Sequence, residues 1–359
     1  MMSNSAGTTD RLVTAQALTA YVVAVFVGLG ARDSDARAVA QVLVGANLTG
    51  HDSHGISLIP GWAESIRVGD IDVQARPEIR VDADAMVAID ANRALGPVAG
   101  ALVCAEAAER ASRHGVAVVT MRDSGHLGRL GEYVSRLTRQ RFASVAVSNC
   151  QGNGLVVVPT GASGPRLTSN ALALGVPNGG DGVVADLALT AIALSRVYQA
   201  QRRGTRLTVD ALVDGNGQPS NDPSVLATGG GVVPLGAPIA GHKGTGLLML
   251  VDLLAGVLSG GGVCGAPSNG FANALTLIAI DVSKFGDQAA QDEMTRRFQS
   301  HVANTVLGTS DIESLLPGER ATRIERQRTL EGIPVSEHDL VALHVEAKKV
   351  GLNPGSFIS

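Results

Sequence analysis

Residues 49–62 read TGHDSHGISLIPGW and set His51 and His54 three positions apart, with Asp52 and Ser53 between them. Two imidazoles at that spacing can reach one face of a helical turn. Three chemistries suit the cluster: a metal site, a proton-transfer site and a hydrogen-bonded polar turn. Zinc needs further ligands, and neither an HExxH motif nor a cysteine pair supplies them, so no metal is expected. A histidine that moves a proton is the sharper alternative, because imidazole titrates near neutral pH.

A second polar island, RDSGHLGRLGEY at 122–133, follows the apolar run VAVVTM. Loops at strand ends favour functional side chains. Gly125 and Gly128 leave room for a ligand to approach His126, although an isolated loop histidine is commonly structural. In VVADLALT, Asp186 lies inside an apolar strand, where a carboxylate must be paired or hydrogen-bonded. A histidine, a ribose or a nicotinamide group would serve; a cap or turn is the plainer role. GAPIAGHKG at 236–244 approaches a phosphate loop, but His242 separates the glycine from the lysine. Gly241, Lys243 and Gly244 can still hold phosphate through amides and one ammonium. GLGARD at 28–33 lacks the third glycine of GxGxxG and follows a helix, so a standard dinucleotide fold is not indicated.

These islands need elements to position them. Apolar spacing predicts a helix over 11–29, a second from an Asp33 or Ser34 cap to Gly50, and a third over 60–69. EIRVDAD and MVAIDA read as a hairpin, GPVAGALVCAEAAERASRH as a helix stopped by Gly115, and VAVVTMRDS as a buried strand. GEYVSRLTRQRF reads as a helix, then SVAVSNC, ALALGVP and GVVADLAL as strands, an order of α/β type. GTGLLMLVDLLAGVLSGG reads as a buried helix and ALTLIAIDVSKF as a strand. Beyond about residue 287 the text is polar and helical, with a last strand in DLVALHVEA.

Hydrophobic residues make up 45%, enough for a sizeable core, and a net charge of −4 without a basic run points to no nucleic-acid partner. The longest apolar stretch, GLLMLVDLLAGVLSG, carries Asp252 and falls short of the about 20 residues of a membrane span, so no membrane partner is expected. MMSNSAGTTD lacks a basic stretch leading into an apolar run, so no signal peptide is expected, and three scattered cysteines fit a reducing cytoplasm.

Taken in order, GHDSHG, RDSGHLGRLGEY, SNC, TSNALALGVP, VVADLALT, GNGQPSNDP, PLGAPIAGHKGTGLLMLVDLLAGVLSG and LLPGE cover roughly three-quarters of the chain. The series resembles the malate/L-lactate dehydrogenase family of non-Rossmann oxidoreductases, which includes sulfolactate and ureidoglycolate dehydrogenases, diketogulonate reductase and piperideine-carboxylate reductase. The resemblance implies an α/β protein with a non-Rossmann L-sulfolactate/malate dehydrogenase-like fold. It would have a helical domain at 1–75, a central mixed α/β cofactor domain at 76–286, and a helical segment at 287–359 packing back on the first. It implies a homodimer and hydride transfer between NAD or NADP and a small molecule, a 2-oxo/2-hydroxy acid or a cyclic imine acid. His126 is expected to be the general acid/base, with His54 the alternative and Asp186 orienting the cofactor or a histidine. The cofactor is expected at Ser148, Cys150, Asn170, Val184, Ala185, Asp186, Lys243, Pro317, Gly318 and Glu319, and the substrate at Ser53, Leu58 and Trp62.

The chain departs from the family where substrate is held. An arginine usually follows the SHG glycine by three residues and a tyrosine comes four later; here those positions hold Leu58 and Trp62. Ala171 replaces a proline and Thr245 an aromatic residue. A carboxylate needs a paired cation, which Leu58 cannot supply, so Arg67 or Arg129 is left to replace it. The pocket is expected to suit a bulkier or less charged keto compound than malate. A binding protein on the same fold without catalysis is the competing reading.

Overall fold

The computed structural model describes residues 10–152, 154–267, 270–303, 315–353 and 355. All of MMSNSAGTTD but its last residue lies outside these residues.

The helical unit begins with a short strand, β1 (Arg11–Val13), then α1 (Ala15–Gly28), α2 (Asp33–Leu48) and α3 (Ile59–Arg67). The expected helix over 11–29 thus loses its first turn, because β1 pairs antiparallel with a strand more than 300 residues away, Ile333–Val335. Thr14 caps α1 by accepting the Ala17 N–H. Arg32, without a side-chain capping bond, occupies the cap position of α2, and Asp33 falls in its first turn, not at the cap.

The central unit is a seven-stranded sheet. Its strands are β2 (Glu78–Ala83), β3 (Met86–Asp90), β4 (Val116–Ser124), β5 (Phe142–Cys150), β6 (Ala171–Val176), β7 (Val183–Ala188) and a late insertion, Asn273–Asp281. The late strand sits between β4 and β5, antiparallel to both, and only β3 and β4 run parallel. One face carries α4 (Gly96–His114) and α5 (Gly131–Arg139), which bury Val103, Tyr133 and Leu137 with Met121 and Leu277. α5 stops short of the expected Phe142 because Arg141 takes a φ of 77° and β5 begins next. A satellite holds α6 (Leu194–Arg203), β8 (Leu212–Val213), β9 (Pro219–Ser220) and β10 (Gly231–Val232). The other face of the large sheet carries α7 (Gly241–Ser259), and the inserted strand is β11.

α7 was expected to be buried and too short for a membrane. It runs 19 residues and is, among the described residues, long and apolar enough to cross one by length and composition. Its inner face, Leu248, Val251 and Ala255, packs on Val147 of β5. Its outer face is exposed, with Leu250, Val257 and Leu258 each more than half accessible. Periodicity registers how apolar a helix is; it does not register whether both faces find partners.

The chain closes with α8 (Gln288–Ala303), α9 (Glu319–Glu331), β12 (Ile333–Val335) and α10 (Glu337–Lys349). α8 meets the central unit through Arg141–Asp292 at 2.7 Å, whereas α9, β12 and α10 lie against the N-terminal helices. The expected strand in DLVALHVEA is helix α10. Ser336 caps it by accepting the Asp339 N–H, and Leu340, Leu343 and Ala347 bury the helical face. The alternation of Val341, Leu343 and Val345 mimicked a strand, but both valines are exposed.

Candidate active site

The GHDSHG segment follows α2 as two 3₁₀ turns, Asp52–His54 and Ile56–Leu58. Asn47 organises them. Its Nδ2 donates to Asp52 Oδ1 at 2.8 Å and its Oδ1 accepts the Ile56 N–H at 2.9 Å. A Cβ at Gly55 would collide with that amide, so the second glycine of the motif is required by close approach. Asp52 also receives Arg328 of α9 at 2.6 and 3.1 Å, which turns it away from His51 and His54. Among the described residues no three His, Cys, Asp or Glu side chains converge on a metal position.

Ser53, His54, Leu58 and His51 face a cavity of about 490 Å³ between the helical unit and the C-terminal ends of β4 and β5. The His54 and His126 rings meet there with centroids 6.3 Å apart. His126 Nδ1 accepts the Gly128 N–H at 3.0 Å, so the neutral ring carries its proton on Nε2. Its ring lies 5.7 Å from Trp62 and 5.9 Å from Phe271. This apolar burial pushes its pKa down to about 4. Trp62, expected at the substrate, packs edge-on to Phe26 in the N-terminal core and is not among the residues that line the cavity; it stands beside His126. His54 has a different setting: Ser53 Oγ lies 3.1 Å from its Nδ1. Burial lowers its pKa, while the Asp186 carboxylate counteracts that shift.

Asp186 finds a partner that sequence did not suggest. Its Oδ2 accepts the Gly131 N–H at 2.9 Å, at the N-terminus of α5, where the helix dipole favours a negative charge. Arg129 stands 3.9 Å from the same oxygen. Burial raises the Asp186 pKa, and Arg129, then the Gly131 hydrogen bond, oppose the rise.

The wall formed by β5 and β6 supplies Ser148, Asn149, Cys150 and Asn170. Ser148 Oγ donates to the Ala274 carbonyl at 2.9 Å. Burial pushes the Cys150 thiol up to about 11, which makes it a poor nucleophile at neutral pH. Asn149 and Asn170 are tied to Asp252 of α7 at 2.9 and 3.4 Å, and Asp252 also accepts the Cys264 N–H at 3.0 Å. That buried carboxylate was signalled in the sequence by the same rule that singled out Asp186, a charge inside an apolar run.

The cavity therefore brings together Ser53, His54, Leu58, His126, Ser148, Cys150, Asn170 and Asp186. Val184, Ala185, Lys243, Pro317, Gly318 and Glu319 are not among its lining residues. Gly318 does abut β7, since a Cβ there would lie 3.2 Å from the Val184 carbonyl. Glu319 accepts the Leu316 N–H at 3.0 Å and pairs with Arg323, and Lys243 is exposed in the first turn of α7. Arg129, one of the two cations left for the substrate carboxylate, lines the cavity, and His51, Asn149, Asn273 and Tyr198 line it without having been assigned to it.

A mixed sheet flanked by helices, with two facing histidines where it meets a helical unit, defines a class. The chain belongs to the malate/L-lactate dehydrogenase family, whose profile matches residues 13–344, and it is an oxidoreductase. It is 30% identical over 348 residues to hydroxycarboxylate dehydrogenase B of Escherichia coli strain K12, covering 94% of each chain. It is 31% identical over 322 residues to the malate/(S)-sulfolactate dehydrogenase of Methanothermus fervidus, covering 88% of this chain and 91% of that one. The crystal structure of delta1-piperideine-2-carboxylate reductase from Pseudomonas syringae pv. tomato superposes with a TM-score of 0.81 at 30% identity, covering 94% of this chain and 100% of the other.

Proposed function

We propose that this protein transfers a hydride between NAD or NADP and a 2-oxo/2-hydroxy acid or related keto compound. In this reading His54 moves the proton and His126 orients the reacting oxygen. The observation that carries it is the Gly128 N–H donated to His126 Nδ1. That bond leaves Nε2–H as a fixed donor toward the cavity. Full protonation of His126 would break it, in a ring stacked on Phe271 and tilted against Trp62. The sequence favoured His126 as the acid; the hydrogen bond supports His54 instead. Ser53 can accept from His54 Nδ1, and Asp186 favours the imidazolium. In reduction His54 gives its proton to the oxygen that His126 holds; in oxidation the neutral ring of His54 takes it back.

The site also suits a nicotinamide. Asn149 Oδ1 is buried without a partner among the described residues, beside Ser148 and Cys150, and matches a carboxamide N–H₂. The cofactor, when bound, would supply or take up the hydride. Lys243, Val184, Ala185 and Pro317–Glu319 would hold its remainder outside the cavity. Residues 1–75 would thus bring the proton, and 76–286 the cofactor together with Pro317–Glu319 of the 287–359 segment. The likeness to the piperideine-carboxylate reductase supports cyclic imines as a second substrate class, since an imine nitrogen can take the same proton.

We place the enzyme in the cytoplasm as a homodimer. The free thiols Cys104, Cys150 and Cys264 fit a reducing compartment, and the exposed outer face of α7 fits burial against a second copy.

The experiment is a pair of variants. His54→Gln is expected to cut kcat by about 10²–10⁴-fold in both directions, whereas His126→Gln chiefly raises KM. Full turnover by His54→Gln would return the proton to His126. Wild-type protein that oxidises neither NADH nor NADPH with any oxo acid or cyclic imine would leave a binding protein.

A further inference from the structure

We infer that Arg129 grips the substrate carboxylate and that the substrate side chain faces the apolar wall at Leu58. The inference rests on the hydride-transfer reading and adds the substrate class: a 2-oxo monoacid with an apolar side chain.

Among the described residues lining the cavity, Arg129 is the only Arg or Lys. It is 8% exposed, and its Nε is buried with no hydrogen-bond partner. Its nearby acceptors are all distant or engaged. Glu132 lies 4.0 Å away and accepts Arg136 at 3.0 Å; Asp186 lies 3.9 Å away and accepts the Gly131 N–H. His51 Nδ1 comes within 3.5 Å of Arg129 Nη1, which is too long for a firm bond. That nitrogen also faces Thr49 Oγ1 at 3.2 Å, and the Thr49 hydroxyl proton goes to the Gly45 carbonyl at 2.9 Å. The threonine oxygen can therefore only accept, which puts the His51 proton on Nδ1 and leaves Arg129 no acceptor there. A buried guanidinium with such poor partners fits a missing carboxylate, which it can take through two parallel N–H donors.

The rival cation is elsewhere. Arg67 is held by Glu346 and, at 3.2 Å, by Glu64. Arg320 acts on His51 from α9 but does not line the cavity. With the carboxylate at Arg129, the hydrocarbon available to the side chain comes from Leu58, Leu127 and Leu194. A second carboxylate finds no Arg or Lys among the described lining residues, so diacids are disfavoured relative to monoacids.

The test compares 4-methyl-2-oxopentanoate with its methyl ester. Wild type is expected to prefer the acid, and Arg129→Gln to lose roughly 10²-fold of that preference, mainly in KM. Arg129→Lys should keep part of it, and added guanidinium ion should restore acid turnover to Arg129→Ala. Oxamate binding, followed by fluorescence of Trp62, the sole tryptophan, beside His126, gives a readout free of turnover. Oxamate should bind roughly 10²-fold more weakly to a folded Arg129→Gln. Unchanged oxamate affinity or an unchanged acid-to-ester ratio overturns the assignment. If wild type binds oxamate through Arg129 yet reduces nothing, the hydride-transfer reading falls and the carboxylate site stands.

Discussion

Gly131→Ala tests whether the N-terminus of α5 sets the position of Asp186. A Cβ at 131 would lie 2.7 Å from Asp186 Oδ2, and ordinary contact begins at 3.4 Å. The carboxylate must retreat by the difference, ~0.7 Å, which stretches the 2.9 Å bond from Gly131 to ~3.6 Å, past hydrogen-bonding distance. A hydrogen bond to a charged group contributes about 1.5–3 kcal/mol, or roughly 10- to 10²-fold in kcat/KM where the transition state feels all of it. Stability moves less. Alanine gains up to about 1 kcal/mol over glycine in a helix, offsetting part of an overpacking cost of about 1–3 kcal/mol. The melting temperature should fall by a few degrees at most. The assay is steady-state kinetics in both directions across pH, with a thermal melt of the same preparation. A variant within twofold of wild type in kcat/KM, with an unshifted pH profile, would refute the role given to the helix end.

Three further outcomes follow from the same geometry. Burial lowers the His54 pKa below its ordinary 6.5, so at pH 7 the ring is chiefly neutral. Alcohol oxidation should rise with pH through that lowered value and then level, reduction should decline over the same range, and Asp186→Asn should move both midpoints to lower pH. Lys243→Ala should weaken NADH or NADPH binding more in low salt than in high salt, since an exposed ammonium on phosphate is screened; equal affinity in low salt removes Lys243 from the cofactor site. Leu250→Asp, on the exposed face of α7, should convert a dimer to monomers in analytical ultracentrifugation, and an unchanged sedimentation coefficient would place the dimer contact elsewhere.

Much of the site was legible because its signals are local. The apolar run VAVVTM ended in a polar loop, and that loop holds His126 at the end of β4. A carboxylate inside VVADLALT demanded a partner, and Asp186 has one. What the sequence could not carry was the identity of partners distant in the chain. Gly131, 55 residues from Asp186, gives its N–H to it, and Arg328, 276 residues from Asp52, turns that aspartate away from the histidines. The strand expected in DLVALHVEA failed for a related reason. Alternation and helical spacing coexist there, and the choice falls to the cap at Ser336 and the core offered to Leu340 and Leu343.

The sequence by itself determined which side chains are available and roughly where each lies in its element: two histidine loops and a buried aspartate. Those features depend on periodicity, glycine placement and the desolvation of charge, which act over a few residues. The tertiary structure alone decided their surroundings. It put Trp62 beside His126 and off the cavity lining, fixed the His126 proton on Nε2 through Gly128, and buried Arg129 on the wall of the cavity that Leu58 also lines. Those outcomes depend on which groups meet across the cavity, and hydrogen-bond partners and burial exist only once separate elements have packed.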